Sequence, residues 1–255
     1  LVAQELKRKG LVSVDRTTIG RYLTKEGAHP FHRTIQPLLS DEHKKQRYRF
    51  AVTYRNHPWD HTFFADEKIF QLCSNPNNKN DVVWAFKKTD VPGYEVSQYP
   101  PSVHVWGAIS KRGTTPLVKF SGSVNGATYQ QMLADNYLPT AHGLYKKESV
   151  WLAHDKATPH TSHVVQDWLK EKKLKYIPPS DWHSNSPDMN PIENLWGWIV
   201  VQVNKKKIKT EKNLWKEVKN IWGTITPAFL SPYILSMDER LKLCRESKGA
   251  AIQLH

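Results

Sequence analysis

The sequence has only two cysteines and no long apolar run, and each shortage excludes a class of protein. Cys73 and Cys244 are far apart and lack the spacing of metal ligands, so neither a disulfide framework nor a zinc site is indicated. No run approaches the roughly eighteen consecutive apolar residues of a membrane-spanning helix, and the charged start LVAQELKRKG does not fit a signal peptide. We therefore expect no membrane partner and a reducing, intracellular compartment.

Acidic residues are also scarce relative to basic ones. The chain has 24 Asp and Glu against 37 Lys and Arg, a net charge of +13, and its first sixty residues carry 12 basic and 6 acidic side chains. This excess favours a polyanionic partner such as nucleic acid. Charge alone fits a merely basic soluble protein equally well, so the function has to be argued from motifs.

The first 28 residues predict two short helices joined by a tight turn. Residues 1–9 follow a helical pattern that ends at Gly10, and Ser13 is a typical N-cap for a second helix with Ile19 and Leu23 on one face. The opposite face carries Arg16, Thr17, Arg21 and Lys25. Such a pair is typical of a helix-turn-helix, whose second helix can enter the major groove of DNA. An ordinary helical hairpin with a solvated basic face is the alternative.

The chain does not begin with Met, and its first residue already belongs to the helical pattern. We therefore expect the front of this unit to be missing. Residues 29–60, which contain several prolines, predict a basic linker with one helix. Its run HKKQRYRF offers Lys44, Lys45 and Arg47 as candidate contacts to DNA phosphates, although such runs are more often solvated surfaces.

From residue 61 onward, strand patterns come first and then alternate with helices. The segments HTFFADEKIF, VVWAFKK, SVHVWGAIS, TPLVKFSG and SVWLAHD predict strands, and NGATYQQMLADNYL predicts a helix. A helix (HTSHVVQDWLKEKK), a short strand (LKYIPP) and a further helix (NPIENLWGWI) follow. This order predicts an α/β fold in which helices pack on a mixed sheet.

Two acidic residues stand where burial makes them costly. Asp66 lies inside an apolar strand, and Asp155 ends another. A buried carboxylate requires a partner or a metal, and either residue alone is more often a paired structural acid. Two carboxylates that adjacent strands bring together repel each other and favour a cation between them, for which Mg²⁺ is well suited.

A third acid, Glu193, follows in the motif NPIE and has two interpretations. Asn190 is a typical N-cap, Pro191 suits the first helical position, and Glu193 stands three residues after Asn190, which approximates a capping box. The motif alone therefore does not decide between a helix cap and a metal ligand. If Glu193 is only a cap, Asp188 is the next candidate for the third acid.

Six segments occur in the order found in transposases of the mariner superfamily, and the chain resembles these proteins over most of residues 35–248. The segments are IQPLLSDEHKKQRYRFA, FFADEKIF, SVHVWGAIS, HDKATPHTS, SPDMNPIENLWGWI and SMDERLKL. The resemblance implies a ribonuclease H-like mixed sheet flanked by helices at 61–255. A small all-α helix-turn-helix unit at 1–28 and the basic segment 29–60 precede it.

By the same resemblance, Asp66, Asp155 and Glu193 form a catalytic triad that holds two divalent ions, Mg²⁺ or Mn²⁺. The implied activity is cut-and-paste DNA transposition. The enzyme hydrolyses a phosphodiester at the terminal inverted repeats, and the freed 3′-hydroxyl then attacks target DNA. The resemblance also implies double-stranded DNA as the partner, a homodimer that holds two transposon ends, and a nuclear location.

Two other functions remain open from the sequence. One is a domesticated DNA-binding protein whose catalysis has lapsed, although the presence of all three acids argues against it. The other is a different nuclease of the ribonuclease H fold that acts on RNA–DNA hybrids. The helix-turn-helix argues against this second function, because such a unit reads duplex DNA.

The sequence departs from the family pattern around the second acid. Lys156 stands where the family usually has Asn, and it either contacts phosphate or pairs with Asp155 and competes with metal. Thirty-seven residues separate Asp155 from Glu193, more than in the commonest branches of the family. His154 and His160 flank this acid, and we assign neither a catalytic role.

Overall fold

The computed structural model describes residues 16–28, 38–72, 100–146, 148–182, 185–206 and 208–253. The chain divides into two compact units, Leu1–Gln36 and Pro37–His255, which we describe separately. Among the described residues, no helix combines the length and the apolar character needed to cross a membrane.

The first unit contains one described helix, α1 (Arg16–Lys25). The predicted helix at 1–9, with Gly10 and Ser13, lies outside the described residues. Ile19 is half-buried. The predicted DNA-facing side chains whose exposure is described are all exposed, namely Thr17, Arg21 and Lys25. The helix therefore exposes these three side chains together with the larger apolar ones of Tyr22 and Leu23.

The described residues of the second unit form a six-stranded sheet. In chain order its strands are β1 (Thr62–Gln71), β2 (Ser102–Ser110), β3 (Gly113–Thr114), β4 (Val118–Phe120), β5 (Trp151–Ala153) and β6 (Lys175–Tyr176). The main path is β3-β2-β1-β5-β6, and β4 also pairs with β2. β2 runs antiparallel to β1, whereas β5 and β6 run parallel to their neighbours, so the sheet is mixed.

Helices surround this sheet. They are α2 (Asp41–Thr53), α3 (Gly126–Met132), α4 (Leu138–Tyr145), α5 (Thr158–Thr161), α6 (His163–Glu171), α7 (Pro191–Asn204), α8 (Glu211–Gly223) and α9 (Pro227–Glu246). A π-helical stretch, Leu133–Tyr137, joins α3 to α4, and a 3₁₀ turn, Pro187–Met189, precedes α7. Side-chain oxygens cap several of these helices; Thr210, for example, accepts a hydrogen bond from the backbone of Asn213 at the start of α8.

The core consists of two clusters, one on each face of the sheet. Because side chains alternate along a strand, β1 contributes to both. Phe64 and Phe70 pack among residues of α2, α7, α8 and α9, whereas Phe63 and Ala65 pack among residues of α3, α4 and α6. The structure is therefore a helix–sheet–helix sandwich, and the predicted mixed sheet flanked by helices is confirmed.

The predicted boundary between a linker region at 29–60 and a domain at 61–255 differs from the structure. Residues Pro37–His255 form one unit, because α2 belongs to the core. Phe50 and Ala51 of this helix are 2% and 0% exposed, and Arg245 at the end of α9 donates a hydrogen bond to the backbone oxygen of Ala51. The predicted strand at 82–88 lies outside the described residues.

Candidate active site

Asp66 and Asp155 lie next to each other because their strands are parallel neighbours. β1 pairs with β5 so that Phe64 is opposite Ala153, and each acid follows its paired residue by two positions. Equal steps along adjacent parallel strands keep residues side by side. Both carboxylates therefore reach the same edge of the sheet, as the sequence predicts.

Asp66 is held by a tryptophan of α7. The indole Nε1 of Trp196 donates a hydrogen bond to Asp66 Oδ2 at 3.1 Å. Burial, together with the negative charges of Glu193, Glu67 and Asp155, raises the pKa of Asp66 well above its ordinary value. A carboxyl group among other carboxylates is a place where a cation is favoured, and the oxygen donors of the acids suit Mg²⁺ or Mn²⁺.

A glycine opposite Asp66 allows the supporting aromatic rings to approach the sheet. Gly107 on β2 pairs with Asp66, and a Cβ built on it would lie 2.8 Å from the ring of Trp222. Trp222 in turn stacks on Trp196, with ring centroids 5.1 Å apart. The absence of a side chain at Gly107 therefore lets two indoles pack beneath the carboxylate.

Asp155 is anchored by a buried histidine. His160 Nδ1 lies 2.7 Å from Asp155 Oδ1, and the backbone N–H of Ala157 donates to the same oxygen at 2.8 Å. The other ring nitrogen, Nε2, lies 3.1 Å from Glu67 Oε1. Burial raises the pKa of Asp155, but the hydrogen bond and the charge of His160 outweigh burial and bring it below its ordinary value. Burial lowers the pKa of His160, yet its two carboxylate partners raise it to about 9.

Glu193 does not form the capping box that its motif suggests. Asn190 is the N-cap of α7, but no side-chain hydrogen bond caps the helix there. The Oδ1 atom of Asn190 is buried and has no partner among the described residues. Glu193 instead places its Oε2 3.4 Å from the Nζ of Lys68, which lies two residues after Asp66 on the same face of β1. The side chain therefore faces the sheet and the other acids.

The carboxylate of Asp188 is occupied by hydrogen bonds within the protein. The guanidinium of Arg47 donates to both of its carboxylate oxygens, at 2.7 and 2.6 Å, and the backbone N–H of Ile252 donates at 2.9 Å. A second buried arginine, Arg240, donates to the backbone oxygen of Asp188 and, at 2.6 Å, to Asn194 Oδ1. These contacts fix the turn before α7, and they remove Asp188 as a candidate third acid.

The prediction that Arg47 contacts DNA is wrong. Its side chain is 0% exposed, and its Nε also donates to the backbone oxygen of Gly249 at 2.9 Å. The run HKKQRYRF forms a helix, and helical spacing turns Arg47 toward the core although its neighbours in sequence are charged. Lys45 is exposed, and Lys44 pairs with Asp41 at 3.1 Å on the surface.

The three predicted acids line one cleft of about 460 Å³. Its other walls come from the segments after β5 and before α7, namely Lys156, Ala157, Trp182, Asn185, Ser186, Pro187 and Asn190. Lys156 lines the cleft, and the ion pairs of the described residues do not join it to Asp155, whose partner is His160. As placed, no three His, Cys, Asp or Glu side chains of the described residues lie close enough together to bind one ion.

Sequence reasoning missed Lys68, Glu67 and the partner role of His160. The acid Glu67 is 93 residues away from His160 in the chain, so no local pattern links them. The alternation of β1 was the available signal, because it places Glu67 on the face opposite Asp66 and Lys68 on the same face as Asp66.

Comparison with known proteins shows which family the chain belongs to. The family model described as "DDE superfamily endonuclease" matches residues 61–215, and a helix-turn-helix model described as "Transposase" matches residues 2–56. The Tc3 transposase of Caenorhabditis elegans is 29% identical over 245 residues, which are 94% of this chain and 72% of that protein.

Solved structures share the fold. The Mos1 transposase paired-end complex with left transposon end has a TM-score of 0.78 at 20% identity and covers 98% of this chain and 75% of its own. The Mos1 mariner paired end complex with Mn has a TM-score of 0.73 at 18% identity, over 98% of this chain and 75% of its own. These likenesses establish the ribonuclease H-like arrangement of the sheet and its helices.

Proposed function

The chain belongs to the DDE superfamily endonucleases and is a transposase of the mariner superfamily, and from this premise we propose that Asp66, Asp155 and Glu193 are its catalytic carboxylates. Its activity is cut-and-paste DNA transposition. The observation that supports the proposal is that acids from β1, the segment after β5 and the first turn of α7 line a single cleft. No other acid of the described residues lines that cleft.

The enzyme depends on a divalent metal, and we propose two ions in each site, held by these three carboxylates. The donor chemistry supports this, because oxygen ligands suit Mg²⁺ and Mn²⁺ and the carboxylates around Asp66 repel one another without a cation. When bound, such ions activate the attacking water and stabilise the leaving oxygen of the phosphodiester.

The chain's own residues prepare this chemistry. Trp196 fixes Oδ2 of Asp66, and His160 and the backbone of Ala157 fix Oδ1 of Asp155. We propose that Lys156, on the cleft wall, contacts the DNA phosphate, because none of the ion pairs among the described residues joins it to Asp155. Glu193 lies in the first turn of α7, and Arg240 stabilises this turn by donating a hydrogen bond to the side chain of Asn194.

DNA is the partner, and we propose its contacts from polar and basic residues of two helices. These are Arg16, Thr17, Arg21 and Lys25 of α1, together with Lys44 and Lys45 of α2. Supporting this, the side chains of Thr17, Arg21, Lys25 and Lys45 are exposed. Loss of a phosphate contact should weaken binding to all sequences and lower the salt slope by about one, whereas loss of a base contact should relax specificity.

We further propose a homodimer that holds two transposon ends, and a nuclear location. Both rest on the resemblance to mariner transposases. Sedimentation of the chain with and without a DNA end would test the first, since a dimer doubles the sedimenting mass. A fluorescent fusion in cultured cells would test the second.

The decisive experiment incubates the chain with supercoiled DNA that carries cognate ends, in Mg²⁺, Mn²⁺ or a chelator. Cleaved and joined products should form only with metal. Asp66→Asn and Asp155→Asn should abolish both products while DNA binding survives, because binding is assigned to other surfaces. Asp135, an exposed acid outside the cleft, serves as the control as Asp135→Asn. Full cleavage by an Asp66 or Asp155 variant would refute the assignment.

A further inference from the structure

We propose that His160 is a positioning residue, a strut that joins Glu67 on β1 to Asp155 after β5 and thereby sets the separation of the first two catalytic carboxylates. This inference rests on the proposed function, because it takes Asp66 and Asp155 as the metal-binding acids. His160 is not among the residues that line the cleft, and it acts only through the residues that it holds.

The geometry of the strut follows from the alternation of β1. Asp66 faces the cleft, so its neighbour Glu67 faces the opposite side of the sheet. There Glu67 Oε1 meets His160 Nε2 at 3.1 Å, while His160 Nδ1 reaches Asp155 Oδ1 at 2.7 Å. A single imidazole thus spans the two strands that carry the catalytic acids.

Both ring nitrogens of His160 face carboxylate oxygens. An N–H at either nitrogen can donate a hydrogen bond to the oxygen that it faces. In the described residues, His160 Nδ1 lies 2.7 Å from Oδ1 of Asp155 and 3.2 Å from the backbone oxygen of Asp155, and the backbone N–H of Ala157 donates to the same Oδ1. Oδ2 of Asp155 is thereby left for a ligand in the cleft, with the orientation of the carboxylate fixed.

Packing leaves the imidazole little freedom to move. His160 is 1% exposed. The centroid of its ring lies 4.0 Å from that of Tyr129 and 5.0 Å from that of His154, on which it stacks. The backbone oxygen of His160 also accepts a hydrogen bond from Gln166 at 2.8 Å. Because these rings and the backbone contact hold the imidazole in place, it fixes the position of Asp155 relative to Glu67.

The test replaces His160 with Asn or Gln, because the side-chain amide of each can keep one of the two contacts of the imidazole. The side-chain nitrogen of Asn takes the place of Nδ1, and that of Gln takes the place of Nε2. His160→Asn therefore retains the bond to Asp155, whereas His160→Gln retains only the bond to Glu67. Mn²⁺ binding to each full-length variant is measured by titration calorimetry without DNA, and melting in chelator checks that each one folds.

Each amide keeps one end of the strut and breaks the other, so we expect His160→Asn, His160→Gln and His160→Ala all to bind Mn²⁺ at least about tenfold more weakly than the parent, the usual effect of losing a residue that orients a ligand. The exposed neighbour His163 provides the control as His163→Ala, which should bind like the parent. Parental affinity in a folded Asn or Gln variant would overturn the proposal, because a single contact of His160 would then suffice.

The same titration separates this proposal from the proposed function. A parent that does not bind Mn²⁺, or an Asp66→Ala variant that binds it normally, would refute the metal site and the strut together. A parent that binds Mn²⁺ and an Asp66→Ala variant that does not, together with a His160→Asn or His160→Gln variant that binds like the parent, would refute only the role of His160.

Discussion

At the scale of single residues, the sharpest question concerns Glu193, whose motif fits both a helix cap and a metal ligand. The two functions require different surroundings. A cap needs a hydrogen bond to the backbone at the helix start, whereas a metal ligand needs to face other acids. The structure shows no side-chain cap at Asn190, and Glu193 lies against Lys68 on the wall of the acidic cleft. The surroundings of Glu193 therefore favour the metal ligand.

Replacement of Glu193 by Gln tests this interpretation without a change of size. A neutral amide is a poor ligand for Mg²⁺, so Glu193→Gln should melt within a few degrees of the parent and cut at least about a hundredfold more slowly, equivalent to roughly 2.7 kcal/mol in the barrier. The control is Glu211→Gln, a change in the first turn of α8, which lies outside the cleft. Near-normal cutting by a folded Glu193→Gln protein would leave this acid without a catalytic role.

A second residue, His57, makes stability depend on pH. It packs against Trp59 and Trp151 and lies 2.8 Å from Thr62 Oγ1, and burial lowers its pKa to about 4. The unfolded chain, with a His pKa near 6.5, then binds more protons than the folded chain, so the free energy of unfolding should fall as the pH falls from about 6.5 toward 4.

We expect this histidine to contribute a loss of about 1 to 2 kcal/mol between pH 7 and 4.5, after allowance for its partial exposure. Urea unfolding of His57→Gln at both pH values should show a smaller pH dependence than the parent. His142→Gln, at an exposed position, should leave the parental dependence intact. An identical pH dependence in the parent and in His57→Gln would contradict the prediction.

At the scale of elements, the strands were more predictable than the helix before them. Apolar patterns in the sequence predicted the segments that contain β1, β2 and β5. The parallel pairing of β1 with β5 then brings Asp66 and Asp155 together. A helix was predicted within residues 29–60, but it was assigned to a linker and its Arg47 to the DNA surface. The reason is that a single buried arginine in a sequence dominated by charge looks like its solvated neighbours. Its acidic partner, Asp188, is 141 residues away, so no local signal could identify the pair.

Replacement of Arg47 tests the corrected role of α2. Removal of one partner of a buried ion pair leaves the other charge uncompensated, so Arg47→Ala should lower the free energy of unfolding by about 3–5 kcal/mol. The matched control, Lys45→Ala, changes an exposed residue of the same helix and should change stability by less than about 0.5 kcal/mol. Denaturant unfolding measures both. A stable Arg47→Ala protein with weakened DNA binding would restore the original assignment to the DNA surface.

At the scale of the whole molecule, the division into two units predicts where the protein can be truncated without loss of folding. Residues Pro37–His255 form one compact unit, so a chain that begins at Pro37 should fold, melt within a few degrees of the parent and bind Mn²⁺. It lacks α1, and it should therefore lose specific binding to transposon ends.

A chain that begins at His61, the boundary predicted from sequence, removes α2 and should behave differently. Phe50 and Ala51 would no longer fill the core beside α9, and Asp188 would lose the guanidinium that neutralises it. The loss of a buried aromatic side chain costs about 3–5 kcal/mol and that of a buried ion partner a similar amount, which together approach the whole stability of a typical domain. Circular dichroism should therefore show a cooperative melt for the chain from Pro37 and none for the chain from His61. Matching melts for the two chains would mean that α2 is the accessory segment that its charge suggests.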